Sequence, residues 1–226
     1  MSLKLYYDLL SQPSRALYIY LQVCKIPFEK CPVALRKGEH LSEEFKKDIS
    51  RFQKVPVIKD GGFTLAESIA ILRYLSREKQ FSNEWYPKDS KLQAQVDEYL
   101  EWQHNNIRTF GTLYFRTKWI QPLLTGEPPN AKKVATYEKH LAECLSSMEE
   151  LFLKDKPFIA GDKATAADIW AACEIEQPRI TGFDPVAGRP VLSKWLNTVR
   201  KTFSPYYEEA HLILNKLVAK ANAETK

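Results

Sequence analysis

The chain has 226 residues, of which 44% are hydrophobic and 27% charged, an ordinary globular balance that excludes a disordered or fibrous protein. Its formal charge is +5, but 33 basic residues are interspersed among 28 acids, so no block reads as an arm for nucleic acid. No apolar run reaches the roughly 18 residues of a membrane span, and Asp8 comes too early for the core of a signal peptide. Cys24, Cys31, Cys144 and Cys173 form no CxxC pair and have no histidine at metal-ligand spacing, which argues against both a zinc site and a disulfide scaffold. The cytoplasm is the default compartment.

Residues 3–8 are apolar and aromatic, enough for one strand. Pro13 then suits the start of a helix, where its missing N–H would be unpaired anyway; Leu17, Tyr20, Leu21 and Cys24 continue at helical spacing. Pro27 stops this helix, residues 28–35 read as a second strand, and Ser42 with Phe45 and Ile49 suggests a short helix. Val55-Pro56-Val57-Ile58 and Phe63-Thr64-Leu65 make a hairpin around Asp60-Gly61-Gly62. A helix follows over residues 67–77. This β-α-β-α-β-β-α order predicts a small sheet packed by helices.

The pattern breaks over residues 81–88, a linker marked by Asn83 and Pro87. Beyond it strand signals nearly vanish. Leu92, Val96, Tyr99, Leu100, Gln103 and Ile107 trace one helical face; Val134, Tyr137, Leu141, Leu145, Met148 and Leu151 trace another. Thr165-Ala166-Ala167-Asp168 reads as a capping box opening a further helix. Two more helices are predicted around Trp195 and over residues 207–220. The expected organisation is a small α/β domain at 1–80, a linker at 81–88 and an all-helical domain at 89–226.

This layout carries a resemblance. Leu9-Leu10-Ser11-Gln12-Pro13-Ser14-Arg15, Lys37-Gly38-Glu39-His40-Leu41, Lys54-Val55-Pro56, Phe63-Thr64-Leu65-Ala66-Glu67-Ser68 and Val96-Asp97-Glu98-Tyr99-Leu100-Glu101-Trp102-Gln103-His104 occur in order. Each motif alone is weak, but the ordered set resembles a cytosolic glutathione transferase, most closely the theta class, over about residues 3–212. The resemblance implies a thioredoxin-like N-terminal domain, a helical C-terminal domain and a homodimer. It also implies detoxifying conjugation of glutathione to alkyl halides and epoxides, with peroxidase activity toward organic hydroperoxides. Glutathione would be a co-substrate; no cofactor and no metal are implied. Some theta-like relatives extend further at the C-terminus, so the expectation here is a more open pocket.

The chemistry such a site must perform is specific. A thiol like that of glutathione has a pKa of about 8.5, and the thiolate is the nucleophile. Lowering that pKa by about two units takes roughly 2.7 kcal/mol of preferential stabilisation. Ser11, between the first strand and the first helix, stands where the family places its thiolate donor, although a serine there also suits plain helix capping. Tyr6 and Tyr7 are rival donors. The resemblance further implies that Val55, before a cis proline, pairs its backbone with glutathione, and that Glu67 and Ser68 hold the γ-glutamyl end. Gln12, His40 and Lys54 complete the expected binding set, His40 and Lys54 near the glycine carboxylate. Asn105 and Arg108 lie on a helix the family packs against this site, and Arg108 would stabilise leaving-group charge. Helix capping, a solvated lysine and an exposed arginine remain the plain alternatives for these residues. Phe110, Tyr114, Phe115, Trp119 and Ile120 are candidates for an apolar electrophile pocket or for ordinary core. A non-catalytic protein binding glutathione or apolar ligands is the alternative function. A dithiol oxidoreductase fails, because residues 11 and 14 are serines.

Overall fold

A computed structural model describes residues 2–78 and 84–224; residues 81–83 of the expected linker lie outside them. Strand β1 (Leu3–Tyr7) buries Leu3, Leu5 and Tyr7 on one face and turns Lys4 and Tyr6 to the other, as strand alternation requires. Helix α1 (Gln12–Val23) has proline in its first turn and buries every residue from Pro13 to Leu21. Strand β2 (Phe28–Pro32) runs parallel to β1, pairing Leu3 with Phe28. It is shorter than the sequence suggests, for after Pro32 the chain turns into short 3-10 segments, Leu35–Lys37 and Glu39–Leu41. Gly38 joins them at φ 73°, a left-handed position that suits glycine.

Helix α2 (Glu43–Asp48) is capped by Ser42, whose Oγ accepts from Phe45 N at 3.1 Å. Strands β3 (Val57–Asp60) and β4 (Phe63–Ala66) form the expected hairpin, and α3 (Ser68–Glu78) follows. The sheet order is β2-β1-β3-β4, with β1 and β3 antiparallel. This mixed sheet with its helices is the thioredoxin-like arrangement.

Among its described residues the second unit is built of helices joined by loops, with one isolated bridge between Phe158 and Gly161. Helices α4 (Ser90–Gln103), α5 (Thr109–Phe115) and α6 (Gln121–Thr125) run consecutively, joined by π-type turns at His104–Arg108 and Arg116–Ile120. Helix α7 (Ala131–Met148) ends in a third such turn, Glu149–Leu153. That turn corrects one expectation. An α-helical period carries the buried face from Met148 to Leu151, yet Leu151 is 62% exposed while Phe152 and Leu153 are buried. The wider π-type turn advances the phase by about one residue.

Helix α8 (Ala166–Glu176) is central, with all its residues buried. Asp168 closes the capping box, accepting from Thr165 N at 2.8 Å, and also accepts from Ile159 N and Trp195 Nε1. Burial raises the Asp168 pKa, while these donors oppose the rise. Helices α9 (Pro190–Thr202) and α10 (Tyr206–Glu224) complete the unit. Among the described residues no helix is long and apolar enough to cross a membrane. Both units feed one core: Tyr20 of α1 meets Trp170 of α8 edge-on, with ring centroids 6.2 Å apart. The peptide bonds Val55–Pro56 and Ser204–Pro205 are cis.

Candidate active site

A cleft of about 190 Å3 opens where the two units meet. One wall carries Lys54, Val55, Pro56, Glu67 and Ser68; the other carries Gln103, His104, Arg108 and Trp170. The first wall is built by the end of the loop before β3 and the start of α3. Glu67 sits at φ +70°, a conformation that costs a non-glycine residue of order 1 kcal/mol and is found at ligand clamps. The unpaired N–H groups at the start of α3, together with Lys54, make this wall attractive to a carboxylate.

The Ser68 hydroxyl is held across the interface. Trp170 Nε1 donates to its oxygen at 3.1 Å. Because the indole N–H can only donate, the Ser68 proton is left available to an incoming acceptor. Gln103 is 1% exposed and its Oε1 has no partner among the described residues, so it offers a buried acceptor on the opposite wall. Arg108 pairs with the buried carboxylate of Glu174. Its charge is therefore balanced from within the protein.

Ser11 lies on the loop just beyond this cleft, whose lining includes Pro13. It occupies the N-cap position of α1, yet its side chain makes no capping hydrogen bond. Its loop is fixed by neighbours instead. The Asp8 carboxylate accepts from Leu10 N at 2.8 Å and Leu35 N at 3.1 Å. The fully buried Arg15 donates to the carbonyls of Leu9 and Leu10 and, from its other nitrogen, to Cys173 O and Gln177 Oε1 on the helical unit.

Of the expected site residues, Lys54, Val55, Glu67, Ser68 and Arg108 converge on the cleft, whereas Ser11, Gln12, His40 and Asn105 do not line it. Asn105 stands exposed on the outer side of its turn. His40 keeps a buried Nδ1 without a partner among the described residues, and burial lowers its pKa. Tyr7 packs in the core against Tyr18, and burial raises its pKa, which disfavours the phenolate. Tyr6 lies on the opposite sheet face near Lys59.

The aromatic run after Arg108 divides. Tyr114 belongs to the main core, and Phe110 packs half-buried against it. Phe115, Trp119 and Ile120 join Leu10, Ile180, Leu214 and Val218 in a separate apolar cluster, beside the Ser11 loop.

Residues 1–77 match the family model for the glutathione S-transferase N-terminal domain, and residues 113–202 match that for the C-terminal domain. Theta-1 of Bos taurus is 42% identical, over 96% of this chain and 90% of that protein. Theta-2 of Rattus norvegicus is 43% identical, over all of this chain and 92% of its own length. The chain belongs to the theta class of the glutathione S-transferase family. Solved structures agree with that membership. Human glutathione S-transferase T1-1 in its apo form superposes with a TM-score of 0.90 at 39% identity, covering 96% of this chain and 91% of its own. The human theta-class enzyme in complex with the glutathione conjugate of 1-menaphthyl sulfate gives 0.91 at 38% identity, covering 100% and 92%. The protein is accordingly an enzyme, a glutathione transferase.

Several residues of this transferase escaped sequence reasoning. His104 reads as structural in sequence, yet it lines the cleft with Gln103 and Trp170. Trp170 stands 102 positions from the serine it holds, so nothing local announces the pairing. Asp8 and Arg15 carry a faint signal. Both are charged residues flanking the Ser11 motif, and the structure shows each tying that loop down.

Proposed function

We propose that this transferase activates glutathione with the Ser11 hydroxyl and attacks small electrophiles held against the cluster around Leu10. The carrying observation is that the Ser11 side chain has no capping role while its loop is clamped by Asp8 and Arg15. A hydroxyl positioned but unspent at a helix start is suited to donate to a thiolate, with the free N–H groups of α1 adding to it. Ser11 would act as a hydrogen-bond donor, not as a nucleophile.

The cleft supports a matching pose for the rest of glutathione. The γ-glutamyl carboxylate would meet the Ser68 hydroxyl and the start of α3. Its ammonium would meet Glu67 and Gln103 Oε1. Val55 would pair its backbone with the cysteinyl residue in the manner of an added strand. Lys54, His40 and Gln12 would serve the glycine end. Arg108 would face the electrophile, and Asn105, exposed in a single chain, would act from a neighbouring surface. Alkyl halides, epoxides and organic hydroperoxides are the substrate classes we assign, in the cytoplasm. No observation favours the non-catalytic alternative.

The test is an ultraviolet titration of the thiolate in the glutathione complex, for the wild type and Ser11→Ala. We expect a bound thiol titrating well below about 8.5 in the wild type. The substitution should return it upward and cut turnover by about a hundredfold or more, with thermal stability unchanged. A lowered pKa that survives in Ser11→Ala would transfer the role to another donor. We further propose a homodimer; sedimentation equilibrium should give twice the chain mass, and a stable monomer at micromolar concentration would reject it.

A further inference from the structure

A second, larger pocket lies in the helical unit and shares no lining residue with the cleft. Its volume is about 510 Å3, and Glu176, Arg179, Arg200, Tyr207, His211 and Asn215 are among its walls. It forms where the 3-10 turn after α8, Gln177–Thr181, meets α9 and α10.

The polar groups here are partly matched to each other and partly left over. Glu176 is 1% exposed and accepts from Arg179, from Arg200 Nε at 2.9 Å and Nη2 at 2.6 Å, and from Tyr207 Oη at 2.9 Å. Two guanidinium groups thus share one buried carboxylate. The other acid on the walls, Glu208, is exposed to solvent. Arg200 spends its third nitrogen on Asn197. Arg179 uses Nη1 alone, for Glu176 and weakly for Asn215. Its Nε–Nη2 edge has no partner among the described residues, and that edge is the geometry that grips a carboxylate bidentately.

His211 supplies the second half of the site. It is 1% exposed and stacks on Tyr207 with ring centroids 4.0 Å apart. Its Nδ1 lies 2.8 Å from the Tyr207 carbonyl, an acceptor, so Nδ1 carries the proton of the neutral ring. Nε2 is then a bare acceptor, buried and without a partner among the described residues. An orphaned buried acceptor calls for a donor from outside the chain.

We propose that this pocket is a second binding site, for a small organic carboxylate with a neighbouring hydroxyl. The carboxylate sits on the free edge of Arg179 and the hydroxyl donates to His211 Nε2. The two required groups of the ligand follow from the two unspent groups of the protein.

The probes are L-malate and succinate, which differ by one hydroxyl, titrated into the full chain by calorimetry with and without saturating glutathione. Malate should bind saturably, one per chain, whether or not glutathione is present. Arg179→Gln should weaken it at least about tenfold, and succinate should bind about tenfold more weakly than malate. In the wild type, malate should also shift the nitrogen NMR signal of His211 Nε2, a readout that requires no variant. Absence of saturable malate binding overturns the proposal, as does competition by glutathione. Affinity unchanged in a folded Arg179→Gln protein overturns it too. So does an unmoved Nε2 signal, which would leave an ordered water as the imidazole's partner.

Discussion

The Glu174 carboxylate has 2% of its side chain exposed, and Arg108 is the cation beside it. Removing one partner of a buried pair strands the other charge, which is costlier than never having buried the pair. Arg108→Ala should therefore destabilise the protein by roughly 2–4 kcal/mol, the lower part of the usual range because the Arg108 side chain is 34% exposed. Adding Glu174→Gln should recover most of that loss. Denaturant unfolding of the three proteins measures both effects. The double variant then separates the two roles of Arg108. If it regains stability but not turnover, the guanidinium also acts on the electrophile. If turnover returns with stability, Arg108 serves structure and the proposed contact is wrong.

Local rules account for most elements but not for the phase at the end of α7. The β-α-β-α-β-β-α order was legible because each segment carries its own punctuation: Pro13 at a helix start, Pro27 after its end, the Gly61 turn of the hairpin. Lys54, Val55, Glu67 and Ser68, which line the cleft, were picked out by the ordered motifs of the family resemblance rather than by local punctuation. The π-type turns were not legible, since an extra residue per turn leaves no mark in composition. The consequence is testable at α7. Leu151→Ser should change stability by less than about 0.5 kcal/mol, whereas Leu153→Ala should cost about 2–5 kcal/mol. An uninterrupted α-helical period predicts the first substitution to be the damaging one, so thermal melts of the two variants decide between the phases. His104 and Arg108, the two ends of the other π-type turn, both line the cleft, but four positions apart they would share a face in an ordinary helix as well.

At the scale of the molecule, what sequence could not supply is contact between distant segments. Ser68 with Trp170, Arg15 with Cys173 and Gln177, and Tyr18 with Glu209 all bind the sheet unit to the helical one. The buried cluster at Glu176 likewise joins α8, α9 and α10, and it sets how the whole chain responds to acid. Burial lowers the His211 pKa from 6.5 to about 3, so the native state holds a neutral imidazole that the unfolded chain protonates below about 6.5. The unfolded state then binds the extra proton, and stability falls as pH drops from 6.5 toward 3, at about 1.4 kcal/mol per unit for one such group. Glu176 acts lower down. Burial pushes its carboxyl up, but the imidazole and guanidinium groups around it pull it further down, from 4.5 to about 2. Its contribution is complete above 4.5 and is lost as pH falls through 2. The acid limb of stability should thus begin near pH 6.5 and steepen below 4.5. Between pH 6.5 and 5 the loss from His211 should be about 2 kcal/mol. His211→Phe keeps the ring stacked on Tyr207 and removes this titration, so its urea midpoints should fall distinctly less over that interval, the remainder coming from groups such as His40, whose pKa burial also lowers. Equal slopes in variant and wild type would assign the upper limb to other groups and remove His211 as the source.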